Sequence, residues 1–217
     1  MTKELYIFSG LGADERVFQL MNFYEFSPTF IKWIPPTKDE SIDSYACRIL
    51  SQVKSPHPIL IGLSFGGIMA IEVAKLIETE KVIIIASAKV KSEIPFYFRL
   101  IGKSGIHKLV PASFLKKYNF ITSWFFGAKQ ASERILLKQI LKDTDSFFLK
   151  WALDKVINWE NKYELTNVFH VHGTHDRILP IKFVKSNSNI KNGGHFMTLS
   201  HAQEISEILN KALKGVD

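Results

Sequence analysis

The sequence predicts an α/β fold, with a mostly parallel central sheet and helices on both of its faces. Three observations carry this. Short apolar, β-branched runs recur along the chain without polar alternation, as strands buried on both faces do. Helix-period patterns lie between them. The chain has 217 residues, enough for one domain with a full core and a modest insertion.

The elements follow in order. Leu5 to Phe8 is the first strand and stops at Ser9-Gly10. Phe30 to Ile34 is the second, stopped by Pro35-Pro36. Ser41 is placed as an N-cap before Ile42, Tyr45, Ala46, Ile49, Leu50 and Val53, which share one helix face. Cys47 is assigned to that apolar face as a buried small hydrophobe. Ile59 to Ile61 is the third strand, ending at Gly62, and an all-round apolar helix follows over 65–77. Val82 to Ala86 is the fourth strand. Val168 to Val171 is the fifth, ending at His172-Gly173. A last strand runs either from Pro180–Val184 or through Ser188-Asn189-Ile190. The final helix carries Ala202, Ile205, Ile208, Leu209, Ala212 and Leu213 as one stripe.

Residues 89–165 break the rhythm. They show helical signals, no convincing strand, and many aromatics between Phe96 and Trp159. The organisation read from this is a core in two parts, 1–88 and 166–217, with a helical insertion at 89–165. Aromatics at helical spacing are expected mostly to pack the insertion onto the sheet, with a few left to line a pocket.

Composition narrows the function classes. No apolar run is long enough to span a bilayer. The chain starts directly in its first strand, which leaves no room for an export signal and predicts a cytoplasmic protein. One cysteine cannot form an internal disulfide, in keeping with a reducing compartment. The net charge is +7, but the lysines are scattered and no basic helix is dense enough to track nucleic acid. One local excess stands out. Lys89, Lys91, Arg99, Lys103, Lys108, Lys116 and Lys117 face a single acid, Glu93. It is read as a solvated face, with steering of an anionic substrate or surface as the alternative.

The sharpest motif is Gly62-Leu63-Ser64-Phe65-Gly66-Gly67, between a buried strand and a buried helix. A G-x-S-x-G turn in that context raises a serine clear of the sheet. Gly62 and Gly66 remove side chains that would collide, Gly67 lets the helix lie close to neighbouring strands, and the helix N-terminus favours developing negative charge. A serine needs a base. Among seven histidines, His195 in Asn192-Gly193-Gly194-His195-Phe196 is the candidate, because its glycine-rich loop precedes the last helix. His57 flanks prolines, His107 lies in the insertion, His170 and His172 lie at the fifth strand, and His201 opens the last helix. Asp176 is the carboxylate after the fifth strand and the candidate to orient His195. Asp154 and Glu160 are the alternatives, and neither leaves a strand end. His170 and His172 share a strand face while His175 lies beyond the turn, so no metal-ligand spacing results, and no metal or cofactor is called for.

These motifs, with the order Ser64…Asp176…His195, resemble the α/β-hydrolase superfamily, especially small serine esterases. The resemblance implies the α/β-hydrolase fold, with the insertion as a lid. It implies that the backbone N–H groups of Leu11 and Phe65 form an oxyanion hole, since Ser9-Gly10-Leu11-Gly12 is similar to the family's His-Gly-x-Gly loop. Phe65 is also a candidate substrate contact. Ser9 departs from the family's histidine, and the stretch from Asp176 to His195 is shorter than usual. The implied activity is hydrolysis of a small carboxylic ester through an acyl-enzyme. A thioesterase or acyltransferase on the same residues is the alternative, as is a weakly catalytic ligand-binding protein. The implied partner is a small-molecule ester or thioester, with no nucleic acid and no membrane span. No oligomeric state follows from the sequence.

Overall fold

The computed structural model describes residues 4–214; the chain's first and last three residues, including the start used to argue against an export signal, lie outside them. Six strands form one sheet in the order β2-β1-β3-β4-β5-β6. They are β1 (Leu5–Phe8), β2 (Pro28–Phe30), β3 (Ile59–Leu63), β4 (Lys81–Ile85), β5 (Val168–Gly173) and β6 (Ser188–Ile190). Every pairing is parallel. The helices are α1 (Ile42–Ile49), α2 (Phe65–Ala74), α3 (Phe96–Ser104), α4 (Ala112–Leu115), α5 (Phe120–Phe126), α6 (Ala131–Asp143), α7 (Ser146–Ile157), α8 (Met197–Ser200) and α9 (Ala202–Lys214). Helices α3 to α7 all lie between β4 and β5, within 89–165. Among the described residues, no helix is long and apolar enough to cross a membrane.

Strand alternation divides the core in two. Leu5, Ile7, Ile59, Ile61, Ile83 and Ile85 face α9 and part of α6. Tyr6, Phe8, Leu60, Val82 and Ile84 face α1, α2 and α7. Because both faces are covered, the strands need no polar positions, and the central strands β1 and β3 are buried throughout. Helix α2 is buried at every position except its last, Ala74, which explains its lack of a polar face. Ser41 caps α1 by accepting from the Ser44 N–H at 3.3 Å.

Several expectations are corrected. The second strand occupies Pro28–Phe30, not 30–34. Its partner β1 has only four residues, and Ile7 is already opposite Phe30. After the Ile31 N–H bonds to the Ile7 carbonyl at 2.8 Å, β1 turns into a loop and offers no further partner. Ile34 instead donates to the Tyr45 hydroxyl. Helix α1 ends at Ile49 and tightens into a 3₁₀ turn over Leu50–Gln52. Helix α2 stops at Ala74, short of Ile77. Cys47 is exposed, not buried; on a 3.6-residue turn it shares the outer face with Asp43 and Ser44 rather than with Ala46. The aromatics of 89–165 also differ from expectation. Phe148, Trp151 and Trp159 are buried, but Phe96, Phe114, Trp124, Phe125 and Phe147 are exposed.

The β3–α2 turn has the least spare room. A Cβ at Gly62 would meet the Gly66 carbonyl, and one at Gly66 would meet the carbonyls of Phe8 and Ser9 at the end of β1. Gly66→Ala is therefore expected to cost about 1–3 kcal/mol, as overpacking against backbone does. The check is the urea midpoint; a midpoint equal to wild type would show that β1 can move aside.

Candidate active site

The connections from β1 and β3 leave toward opposite sides of the sheet, which opens a crevice at their C-terminal ends. The Gly10-Leu11 loop follows β1 there, and Ser64 follows β3. Ser64 has φ 53° and ψ −121°, a region that side-chain-bearing residues avoid at a cost of about 1–3 kcal/mol. Hydrogen bonds hold it. Its N–H donates to the Ile85 carbonyl at 2.9 Å, and its carbonyl accepts from the Gly67 N–H at 2.9 Å and the Ser87 hydroxyl at 2.7 Å.

His195 lies between β6 and α8. The Gly193 carbonyl accepts from the His175 N–H at 2.9 Å, and the Phe196 N–H donates to the Phe126 carbonyl at 3.0 Å. The loop is thereby tied to the end of β5 and to α5. His195 Nε2 is 2.8 Å from Ser64 Oγ, and its Nδ1 is 2.8 Å from Asp176 Oδ2. A carboxylate only accepts, so Nδ1 carries the proton and the bare Nε2 accepts from the Ser64 hydroxyl.

Asp176 is buried. Its Oδ1 accepts from the Ile178 and Leu179 N–H groups, both at 2.9 Å. Burial alone would raise its pKa, but the adjoining His195, His172 and the Leu179 amide outweigh it and hold the carboxyl below its usual range. Behind it lie two histidines whose part the sequence did not reveal. His172 Nε2 donates to the Leu179 carbonyl at 2.7 Å, so its Nδ1 is free to accept from His170 Nε2 at 3.1 Å. His172 thus braces the turn whose amides grip Asp176, and His170 braces His172. Their two-residue spacing on one strand was the available signal.

The remaining candidates fall elsewhere. Asp154 pairs with His107 at 2.8 Å and Glu160 with Lys91, so neither reaches His195. His57 is exposed near Glu78, and His201 bonds to Ser200. Part of the basic excess is neutralised, since Lys89 pairs with Glu164 and Lys91 with Glu160.

Leu11 and Phe65 both border a cavity of about 250 Å³ that reaches Ser64 and His195. Among the described residues neither N–H has a hydrogen-bond acceptor. The Phe65 ring is 2% exposed and packs against Trp33, Phe148 and Trp151 at centroid distances of 5.3, 6.1 and 6.0 Å. The rest of the wall is nearly all aliphatic, including Leu137, Ile140, Leu153 and Val156 from the 89–165 segment, with Phe126 beside them. Ser9 braces the loop after β1 through its hydroxyl, which donates to the Ala13 carbonyl at 2.6 Å and accepts from Trp33 Nε1 at 3.0 Å. Thr144 reaches the same loop: its hydroxyl donates to the Ile140 carbonyl at 2.6 Å and lies 3.2 Å from the Gly12 carbonyl. Trp33 and Thr144 escaped sequence reasoning because each acts through a contact distant in the chain.

The fold defined by this sheet and these helices is the α/β-hydrolase fold. No protein-family model and no curated protein sequence matches the chain. Solved structures do. A bromoperoxidase from Bacillus anthracis superposes with a TM-score of 0.70 at 18% identity, over 99% of this chain and 92% of that one. An esterase from Thermogutta terrifontis gives 0.69 at 13%, over 99% and 90%. The N-acyl homoserine lactonase AidH gives 0.70 at 15%, over 100% and 90%. At such identities the likeness establishes the shared fold.

The buried histidines make stability pH-dependent. Burial, helped by the nearby His172, drives His170 from 6.5 down to about 3. Between those values the unfolded chain binds a proton that the folded chain refuses. The stability linked to His170 is therefore complete above pH 6.5 and is lost as pH falls toward about 3, with a limiting slope of about 1.4 kcal/mol per pH unit. Urea unfolding across this range should show a falling midpoint, and His170→Phe should flatten that fall. An equally steep fall in the variant would assign it to other groups.

Proposed function

We propose that the chain is a serine hydrolase that cleaves a small carboxylic ester through an acyl-enzyme. The observation that carries this is the 2.8 Å contact of Ser64 Oγ with His195 Nε2, continued by the 2.8 Å contact of His195 Nδ1 with Asp176, at the wall of an apolar cavity. Ser64 Oγ attacks the carbonyl carbon as His195 Nε2 takes its proton. His195 then gives that proton to the leaving alkoxide as the C–O bond breaks. Water, losing a proton to His195, adds to the acyl carbon, and the acid leaves as Ser64 regains its hydrogen. Asp176 keeps the proton on Nδ1 and stabilises the imidazolium between these steps.

The unengaged N–H groups of Leu11 and Phe65 are proposed as the oxyanion donors. Phe65 opens α2, whose N-terminus adds a favourable field for the negative oxygen. Phe65 thus meets substrate through its backbone while its ring stays in the aromatic cluster. Residues 89–165 are proposed as the lid, because they supply much of the cavity wall. A cavity of about 250 Å³ lies just below the roughly 300 Å³ at which drug-sized sites begin, so a short acyl chain suits it. The thioester alternative has less support, because Lys89 and Lys91, the first of the basic run, are engaged by acids.

Fluorophosphonate labelling read by intact mass is the test. Wild type should gain one adduct and Ser64→Ala none; an unlabelled, folded wild type would refute the nucleophile. Asp176→Asn should stay folded and lose activity on the order of 10,000-fold, through loss of the proper tautomer. Activity within tenfold of wild type would remove Asp176 from its role. In an ester series, Leu137→Ala should improve longer acyl chains relative to short ones by at least about 10-fold, the lower bound of what one methylene is worth in an apolar pocket. An unchanged series would place the acyl chain elsewhere.

A further inference from the structure

Exposed apolar surface is concentrated in one stretch. Leu109 is 81% exposed, Phe120 82% and Phe114 69%, and Phe96, Leu100 and Ile121 are also more than half exposed. Large apolar side chains left in water at this density mark an interaction surface. The same stretch carries charge of one sign. Between Ile94 and Ser132 there is no Asp or Glu, while Arg99, Lys103, Lys108, Lys116, Lys117 and Lys129 are present. Lys103, Lys108 and Lys117 are exposed. Two of the short helices in this stretch, α4 and α5, also wall the cavity. Leu115 and Phe126 line it, and their chain neighbours Phe114 and Phe125 face outward.

We propose that this face docks on a lipid surface rich in anionic headgroups. Apolar tips interleaved with lysines are the composition of interfacial segments, whose apolar side enters the headgroup boundary by about 5–10 Å while the cations meet lipid phosphates. A second copy of the chain is a poorer occupant, because a two-fold contact would set the same exposed cations against themselves. Among the described residues only Lys108 of the three is paired with an acid, Asp154 at 3.6 Å. Docking in this way brings the cavity-walling helices to the lipid. The inference goes beyond the hydrolase reading and does not depend on turnover.

The test is vesicle co-sedimentation of the full chain, run also with Ser64→Ala so that binding is read without chemistry. Vesicles of phosphatidylcholine with about one-third phosphatidylglycerol should capture the protein, and phosphatidylcholine alone should bind it at least about 10-fold more weakly. Added salt should weaken capture. The Lys103→Gln/Lys108→Gln/Lys117→Gln variant should lose on the order of 100-fold in anionic-vesicle affinity, at about fivefold per cation. Leu109→Ser/Phe120→Ser should weaken binding to both vesicle types, and circular dichroism should show both variants folded, since every changed side chain is exposed. Wild type left in the supernatant, or full binding by the lysine variant, would overturn the proposal. So would a lipid-free dimer that Leu109→Ser/Phe120→Ser dissociates, which would assign the face to a second copy.

Discussion

The site depends on one local constraint, the left-handed backbone of Ser64 between β3 and α2. That conformation is costly and persists because the surroundings allow no other. Ile85, Ser87 and Gly67 bond its backbone from β4 to α2. Gly62 and Gly66 leave no room for the turn to relax. The strain is paid once, in folding, and leaves Ser64 Oγ standing at the end of the sheet, facing His195.

Around that turn, two kinds of packing share the work. On one side Phe65, Trp33, Tyr45, Phe148 and Trp151 form a continuous aromatic cluster, with Tyr45 and Trp151 at 4.4 Å between centroids. It joins α1, α2 and α7 and so fastens the helical segment 89–165 to the core. On the other side the chain ends of β5 and β6 hold Asp176 and His195. Here hydrogen bonds dominate, because a buried carboxylate is tolerable only when its oxygens are met. Two amides and His195 meet them. The apolar side shapes a cavity and the polar side presents charge to it, which is the division that the proposed acyl transfer requires.

The helices over the cavity are less well satisfied than the core. They turn some apolar side chains inward to the wall and others outward to solvent. The core has no such surplus. Apolar surface left exposed contributes nothing to the segment's own folding stability. That suits a covering element that meets a surface, as proposed above.

Much of this was legible in the sequence. Buried parallel strands announce themselves by apolar runs without alternation, and a glycine-bracketed serine between strand and helix announces a tight turn. Those are local features, set by pleat, helix period and steric size, so the order of strands along the chain and the helical segment could be anticipated. The meeting of Ser64 with Asp176 and His195 was expected from the order of the three in the chain, which resembles that of the α/β-hydrolases. What failed was set by neighbours. Phe30 to Ile34 had strand composition throughout, yet pairing ended where the short β1 ended. The aromatics of 89–165 had core composition, yet five of those named face solvent; four of these lie on α3 to α5, which are too short to turn every apolar side chain toward a single underlying layer, and Phe147 lies on the outer side of α7. Trp33 bonding Ser9 and Thr144 reaching Gly12 each join atoms that lie far apart in the chain and meet only in the folded layers. The sequence by itself determined most of the elements and the tight turn that carries Ser64, because those follow from local sterics and periodicity. Only the tertiary structure decided which distant side chains brace them and which apolar surface remains uncovered, because burial is a property of the assembled layers.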